Sequence, residues 1–169
     1  VAAQDVAYDF SGPSLGITLS SQSSKSDGSA NPNETSGNGF SIAAGYLFDM
    51  GPYLLGGEIV HRRADYSGSV TTTGTALSGD ISGTSVGVKA GYPLGRVMPF
   101  VAIRAGQGSD DFGTGSRDFA YREFAVGAQY GLTEHIAATL SYERVELDYD
   151  NRNLNIDTNE FNVGLSYRF

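Results

Sequence analysis

Eight segments alternate apolar with small or polar residues, and the connections between them alternate long and short. Together these predict an all-β chain: an eight-stranded, antiparallel, up-and-down transmembrane β-barrel. The alternation is plainest at the end of the chain. There Phe161, Val163, Leu165, Tyr167 and Phe169 take every second position, with Asn162, Gly164, Ser166 and Arg168 between them. Successive side chains of a strand point to opposite faces, so this is an apolar face backed by a polar one. Segments of about ten residues suit tilted strands that cross a bilayer.

The first ten residues have no period and are expected to form a short periplasmic lead, with the barrel occupying residues 11–169. Tyr8 and Phe10 at its end suit a membrane interface. The first strand starts near Gly12, with Leu15, Ile17 and Leu19 on one face. Ser21 to Gly39 is rich in Gly, Ser and Asn and reads as a long loop. The second strand carries Phe40, Ile42, Ala44, Tyr46 and Phe48, and ends in the tight turn Asp49 to Pro52. The third carries Tyr53, Leu55, Gly57 and Ile59, before a polar loop from about Asp65 to Ser82. Val86, Val88, Ala90 and Tyr92 mark the fourth, and Pro93 to Arg96 the second turn. Val101, Ile103 and Ala105 mark the fifth, followed by a loop from about Gln107 to Asp118. Phe124, Val126, Ala128 and Tyr130 mark the sixth, and Leu132 to His135 the third turn. Ile136, Ala138, Leu140 and Tyr142 mark the seventh, before an acidic loop from about Asp148 to Asp157. The Phe161–Phe169 strand closes the set.

The apolar face belongs outside. An eight-stranded barrel has an interior just wide enough for side chains, and four large apolar residues per strand would overfill it. The other face offers Gly, Ser and Ala plus Glu58, Arg62, Lys89, Arg104, Glu123, Glu143, Glu160 and Arg168. Charges of both signs in a narrow lumen must pair. A paired plug is the expected arrangement, with an ion or proton path as the alternative. Tyr46, Tyr53, Tyr92, Tyr130 and Tyr167 all fall beside short turns or the terminus, as one aromatic girdle would.

Composition narrows the function. The chain has 169 residues, enough for one domain, and no Cys, which removes disulfides and thiolate metal sites. A net charge of −8 argues against a nucleic-acid partner. No run of eighteen apolar residues is present, so no helix crosses a membrane. No export signal opens the chain, which is expected to be a mature form.

Over nearly its whole length the pattern resembles the small eight-stranded outer-membrane proteins. These include the transmembrane domain of outer membrane protein A, the outer membrane protein X and attachment-invasion group, and the opacity proteins. The matching features are Ala44-Gly45-Tyr46 and its repeat Ala90-Gly91-Tyr92, the Pro99-Phe100 start of the fifth strand, and the Phe161–Phe169 terminus. The resemblance implies a multi-pass protein of the bacterial outer membrane. It implies that Phe161, Val163, Leu165, Tyr167 and Phe169 are read by the barrel assembly machinery. The peptidoglycan-binding domain found in outer membrane protein A is expected to be missing, since the chain ends at the barrel. Members serve as adhesins, evasion factors, structural proteins or enzymes, so it leaves the function open.

Candidate chemistry is sparse. His135 lies in a short turn, on the periplasmic side. His61 lies high on the third strand, and no His-x-Ser motif accompanies it. Catalysis there needs a Ser from another strand. Asp110, Asp111, Asp148, Asp150 and Asp157 are oxygen ligands of the loose calcium or magnesium kind, and read as solvated loop residues. No metal or cofactor is expected. Arg63, Arg122 and Arg144 share the lipid-facing parity above the apolar band, where lipopolysaccharide phosphates sit, and Arg pairs with phosphate bidentately. The competing role for them is salt-bridging to Glu146 or Asp118.

The expected function is non-enzymatic: a structural or surface-interaction protein acting through long acidic loops. Its partners are outer-membrane lipid, lipopolysaccharide and an unidentified protein. A narrow solute channel, a lipid A-modifying enzyme and a soluble lipocalin-type barrel are the alternatives.

Overall fold

A computed structural model describes residues 7–25, 34–69, 76–111, 116–148 and 155–169. It contains eight strands: β1 (Gly12–Lys25), β2 (Glu34–Asp49), β3 (Leu54–Ser69), β4 (Ala76–Gly91), β5 (Val97–Asp111), β6 (Ser116–Gly131), β7 (Ile136–Asp148) and β8 (Asn155–Arg168). Each pairs antiparallel with its neighbours in sequence, and β1 pairs with β8 to close the barrel. The register fixes its shape. Leu15 leads through Ala44, Ile59, Val86, Ala105, Arg122, Glu146 and Asp157 back to β1 at Lys25, ten residues beyond the start. That stagger on eight strands sets a tilt of about 40° and a backbone radius of about 8 Å.

The strands are longer than the sequence implies, at 13 to 16 residues. Much of what reads as loop is strand. Ser36 to Gly39 pair with β1 and β3, and Ser78 to Ser82 pair with β3. Beyond the apolar belt the outer face meets water instead of lipid, so period-two hydrophobicity vanishes while the backbone ladder continues. Residues 26–33, 70–75, 112–115 and 149–154 lie outside the described residues, Asp150 among them.

The apolar faces point outward, which removes the soluble lipocalin-type barrel. Ile17 is 61% exposed, Ile103 59% and Val86 60%, and the five girdle tyrosines are also exposed. The short turns lie at one end. Gly51 (φ 92°) follows Asp49, whose carboxylate accepts the Gly51 amide at 2.8 Å. Leu94 and Val97 exchange both backbone hydrogen bonds around Gly95 (φ 66°), the conformation that a type II′ hairpin requires at its first central residue. At the third turn, Thr133 Oγ1 accepts from the amides of His135 and Ile136.

Tyr8 and Phe10 do not lie at a membrane interface. Tyr8 and Phe10 are buried in the short-turn mouth, packed with Leu47, Leu54, Met98 and Ala137. Their rings sit 4.5 Å apart. The Tyr8 amide donates to the Gly95 carbonyl at 3.2 Å, and Arg168 Nη1 donates to the Ser11 carbonyl. The chain from Tyr8 to Ser11 therefore crosses the mouth, from the β4–β5 turn to the β1–β8 seam. Ser11 donates its hydroxyl and amide to Asp9 at 2.6 and 2.8 Å. Those bonds hold the Asp9 carboxyl below the usual range. A lowered carboxylate stabilises the fold above its unfolded pKa, and this contribution fades as pH falls through the folded value. Gly131 makes room for the strap, because a Cβ there would strike the Tyr8 ring. Gly131→Val should expel Tyr8 and lower unfolding stability in detergent by about 1–3 kcal/mol. Urea titration followed by gel mobility measures it; an unchanged midpoint would mean that the strap carries no stability.

Candidate functional site

Within the apolar belt, β3 to β8 send seven charged side chains into the lumen, while β1 and β2 line it with small residues. Arg62 meets Glu123 at 2.7 Å, Glu160 at 2.8 Å and Glu143 at 3.0 Å. Arg104 meets Glu58 at 2.6 Å and both Glu123 and Glu143 at 3.3 Å. Lys89 lies 3.5 Å from Glu58 and 4.2 Å from the centre of the Phe100 ring. Ser85 donates to Glu123 at 3.2 Å. Glu143 and Glu160 are direct register partners, an arrangement that repels unless a cation stands between them. Arg62 is that cation. Arg168 shares their face but not their depth: it lies at the short-turn mouth, its guanidinium 5.7 Å from the centre of the Tyr8 ring.

The cluster is capped at both ends. Towards the short turns lies the Tyr8–Phe10 layer. Towards the far end, Phe119, Tyr121 and Val145 pack together with Ile81. Glycines seat these rings: a Cβ on Gly106 would come within 2.6 Å of Tyr121 Cζ, and one on Gly108 within 2.6 Å of Phe119 Cζ. Two small spaces remain, of about 70 Å³ beside Lys89 and Thr18, and about 50 Å³ between Arg62 and Phe119. Further out, Asp110 is buried and accepts from the Tyr66 hydroxyl at 3.2 Å, so it is not a solvated loop residue.

On the outer wall, each residue climbs about 2.5 Å and each step to the next strand's register partner about 3 Å. Arg63, Arg122 and Arg144 therefore stand within about 3 Å of one height, just above the belt. Arg144 is engaged, bridging Asp157 at 2.8 Å and Glu146 at 3.7 Å. Among the described residues, Arg63 and Arg122 have no carboxylate within 4 Å. Higher still comes an acidic tier. Asp65, Asp80 and Asp111 are outward neighbours on β3, β4 and β5. Asp80 donates a hydrogen bond to the Asp65 carboxylate, and that bond together with the Asp65 charge holds Asp80 above the usual carboxylate range. That shared proton supports the pair at acid pH and is lost as pH rises through the Asp80 value, after which the two repel. Among the described residues, no group of three or more His, Cys, Asp or Glu is placed to hold a metal ion.

His61 faces outward, and its Nδ1 shares a 2.9 Å hydrogen bond with Thr84 Oγ1 on β4. A hydroxyl from another strand thus reaches His61, but it is a Thr. The register neighbours of His61 are Ile42 and Thr84, neither a carboxylate, while Ser82, Ser109 and Asp118 line the same hollow. His135 Nδ1 contacts the Arg168 carbonyl at 3.0 Å, tying the third turn to β8.

Arg62→Met would strand carboxylates inside the lumen, so unfolding stability should fall by about 3–5 kcal/mol. Arg104→Met and Glu123→Gln should lower it as well. All three should leave planar-bilayer conductance at the wild-type level, and a clear rise would count against the paired plug and favour an ion path. His61→Ala should leave lipid A mass spectra unchanged in cells that express the protein; a lost modification would make the His61–Thr84 pair catalytic.

Solved structures share this architecture. The attachment invasion locus protein Ail of Yersinia pestis, in complex with the heparin analogue sucrose octasulfate, superimposes with a TM-score of 0.63 at 20% identity, covering 95% of this chain and all of Ail. Neisserial surface protein A gives 0.62 at 18%, covering 92% and 97%. OprG of Pseudomonas aeruginosa gives 0.58 at 15%, covering 97% and 99%. No curated protein matches in sequence. Identities this low speak for the fold, which is that of small barrels from Gram-negative outer membranes. A family model for the outer membrane protein beta-barrel domain matches residues 1–169 in full, and the chain belongs to that family, in the bacterial outer membrane.

Proposed function

We propose that this protein acts at the cell surface as a membrane-anchored interaction protein and not as a pore. The lumen carries the reading. It is occupied at three successive depths, by Tyr8 and Phe10, by the Arg62–Arg104 cluster, and by Phe119 and Tyr121. Solute transport needs a path that these layers fill. The surface left for a partner is the extracellular rim. There, among the described side chains, Asp65, Asp80, Asp111, Asp118, Glu146 and Asp157 point outward and outnumber Arg63, Arg122 and Arg144.

The sulfated sugar bound to Ail would meet carboxylates on this rim. A basic or cation-bridged partner fits it better, since complementary charge steers encounter and rejects like-charged competitors. Membrane lipid covers the belt. Assembly by the barrel assembly machinery belongs to the same reading, with the outward row from Phe161 to Phe169 as the segment engaged.

Cells displaying the wild type and a D65N/D80N/D111N/D118N variant can be compared on lysine-rich and heparin-coated surfaces. Adhesion to the basic surface should be salt-sensitive and should fall several-fold in the variant. Equal adhesion to heparin by both proteins, or a stable unitary conductance in planar bilayers, would overturn the proposal.

A further inference from the structure

The seat of the Tyr8–Ser11 strap is assembled from parts that lie far apart in the chain. Phe10 is 1% exposed, and its cluster draws Leu47 from β2, Leu54 from β3, Met98 from β5 and Ala137 from β7. Tyr8 lies where β6 leaves Gly131 without a side chain, and its amide donates to Gly95 in the β4–β5 turn. Arg168, on β8, reaches both ends of the strap. Its guanidinium stands over the Tyr8 ring, and its Nη1 donates to the Ser11 carbonyl, 157 positions away in sequence. Beside this clasp the seam continues, with the Phe169 amide donating to the Pro13 carbonyl at 3.2 Å.

The walls of the barrel are built differently. β2 with β3, β4 with β5, and β6 with β7 are hairpins on tight turns, so their ladders grow from residues already close in sequence. The strap has no hairpin of its own. Its contacts come from β2, β3, β5, β6, β7 and β8, and they converge only when those strands stand in a ring. In an open sheet Arg168 is remote from Ser11, and Phe10 has no enclosed place to bury its ring.

We propose that the Tyr8–Ser11 strap is a latch that shuts after the barrel has closed and then holds it closed. The hairpins and the β1–β8 ladder form first. The strap then drops into the short-turn mouth, and Arg168 clasps it across the seam. Contacts that are absent while the barrel closes add to the barrier against opening and little to the rate of folding. The β1–β8 seam is the one pairing that joins the two ends of the chain, and the latch lies across its short-turn end. Parting that seam in a membrane would leave backbone groups of both strands without partners. The lifetime of the closed state is set by the barrier to that event, which the latch raises.

Refolding from urea into lipid vesicles and unfolding in urea, both followed by gel mobility before heating, give the two rates for wild type, Tyr8→Ala and Phe10→Ala. Unfolding should be faster by roughly tenfold or more in each variant, since a buried ring is lost from the closed state alone, while refolding stays within about twofold of wild type. Pulse-labelling hydrogen exchange during refolding adds the order of events: amides of the β1–β8 ladder should be protected before the Tyr8 amide. Refolding slowed as much as unfolding is accelerated would place the strap in the folding nucleus. A variant that never reaches the folded mobility would make the strap a requirement for closure. Unchanged unfolding rates would leave the strap without a holding role, and early protection of Tyr8 would reverse the order. Each of these results overturns the proposal.

Discussion

A strand surrounded by hydrocarbon must give every backbone amide and carbonyl a protein partner, and a sheet achieves this only by closing. The rest of the molecule depends on that demand. Closure joins β1 to β8, from Ser14 with Arg168 to Lys25 with Asp157. Eight strands with a stagger of ten leave a lumen just wide enough for side chains. Lipid takes the apolar side chains, so the small and polar face must fill the inside. The inverted polarity is a consequence of closure and not a separate choice.

Filling a narrow lumen with charge creates the next demand. A buried ion is costly unless paired, and even a paired cluster is poor evidence of stability by itself. What the cluster supplies here is position. Arg62 and Arg104 each hold three carboxylates, and Glu123 and Glu143 are shared between them. Five strands are thereby tied across the lumen as well as along their ladders. A slip of β6 by one residue would turn Glu123 outward into lipid and bring Phe124 inside. The cluster thus specifies register in strands whose Gly-rich inner faces specify little. The aromatic layers above and below keep water from competing for those pairs.

Parity was legible in the sequence and depth was not. Alternation assigned every belt residue to the correct face, from Leu15 to Phe169, because lipid and lumen impose opposite chemistry on neighbouring residues. It could not separate Arg168 from Glu160, which share a face but lie at different depths. Depth follows from the stagger, and the stagger depends on pairing. Strand ends were hidden for another reason: above the belt, residues such as Ser78 and Asn38 face water on a paired strand and carry no apolar signal. The strap was invisible because Tyr8 and Phe10 belong to no period. The one hint was Gly131, a glycine where the sixth strand meets its turn, whose missing side chain is the space that Tyr8 fills.

The outer wall shows the same logic turned towards function. Nothing about closure requires Asp65, Asp80 and Asp111 to stand side by side on three strands, and like charges at facing positions weaken a sheet. Nor does closure require Arg122 to stand without a carboxylate partner among the described residues when Glu146 is its register partner on β7. Glu146 is drawn instead to Arg144, which also holds Asp157. Among the described residues, then, Arg122 stands at the top of the belt without a carboxylate partner, below a row of outward carboxylates. That contrast with the paired charges of the lumen is what supports the proposed role of the outer surface.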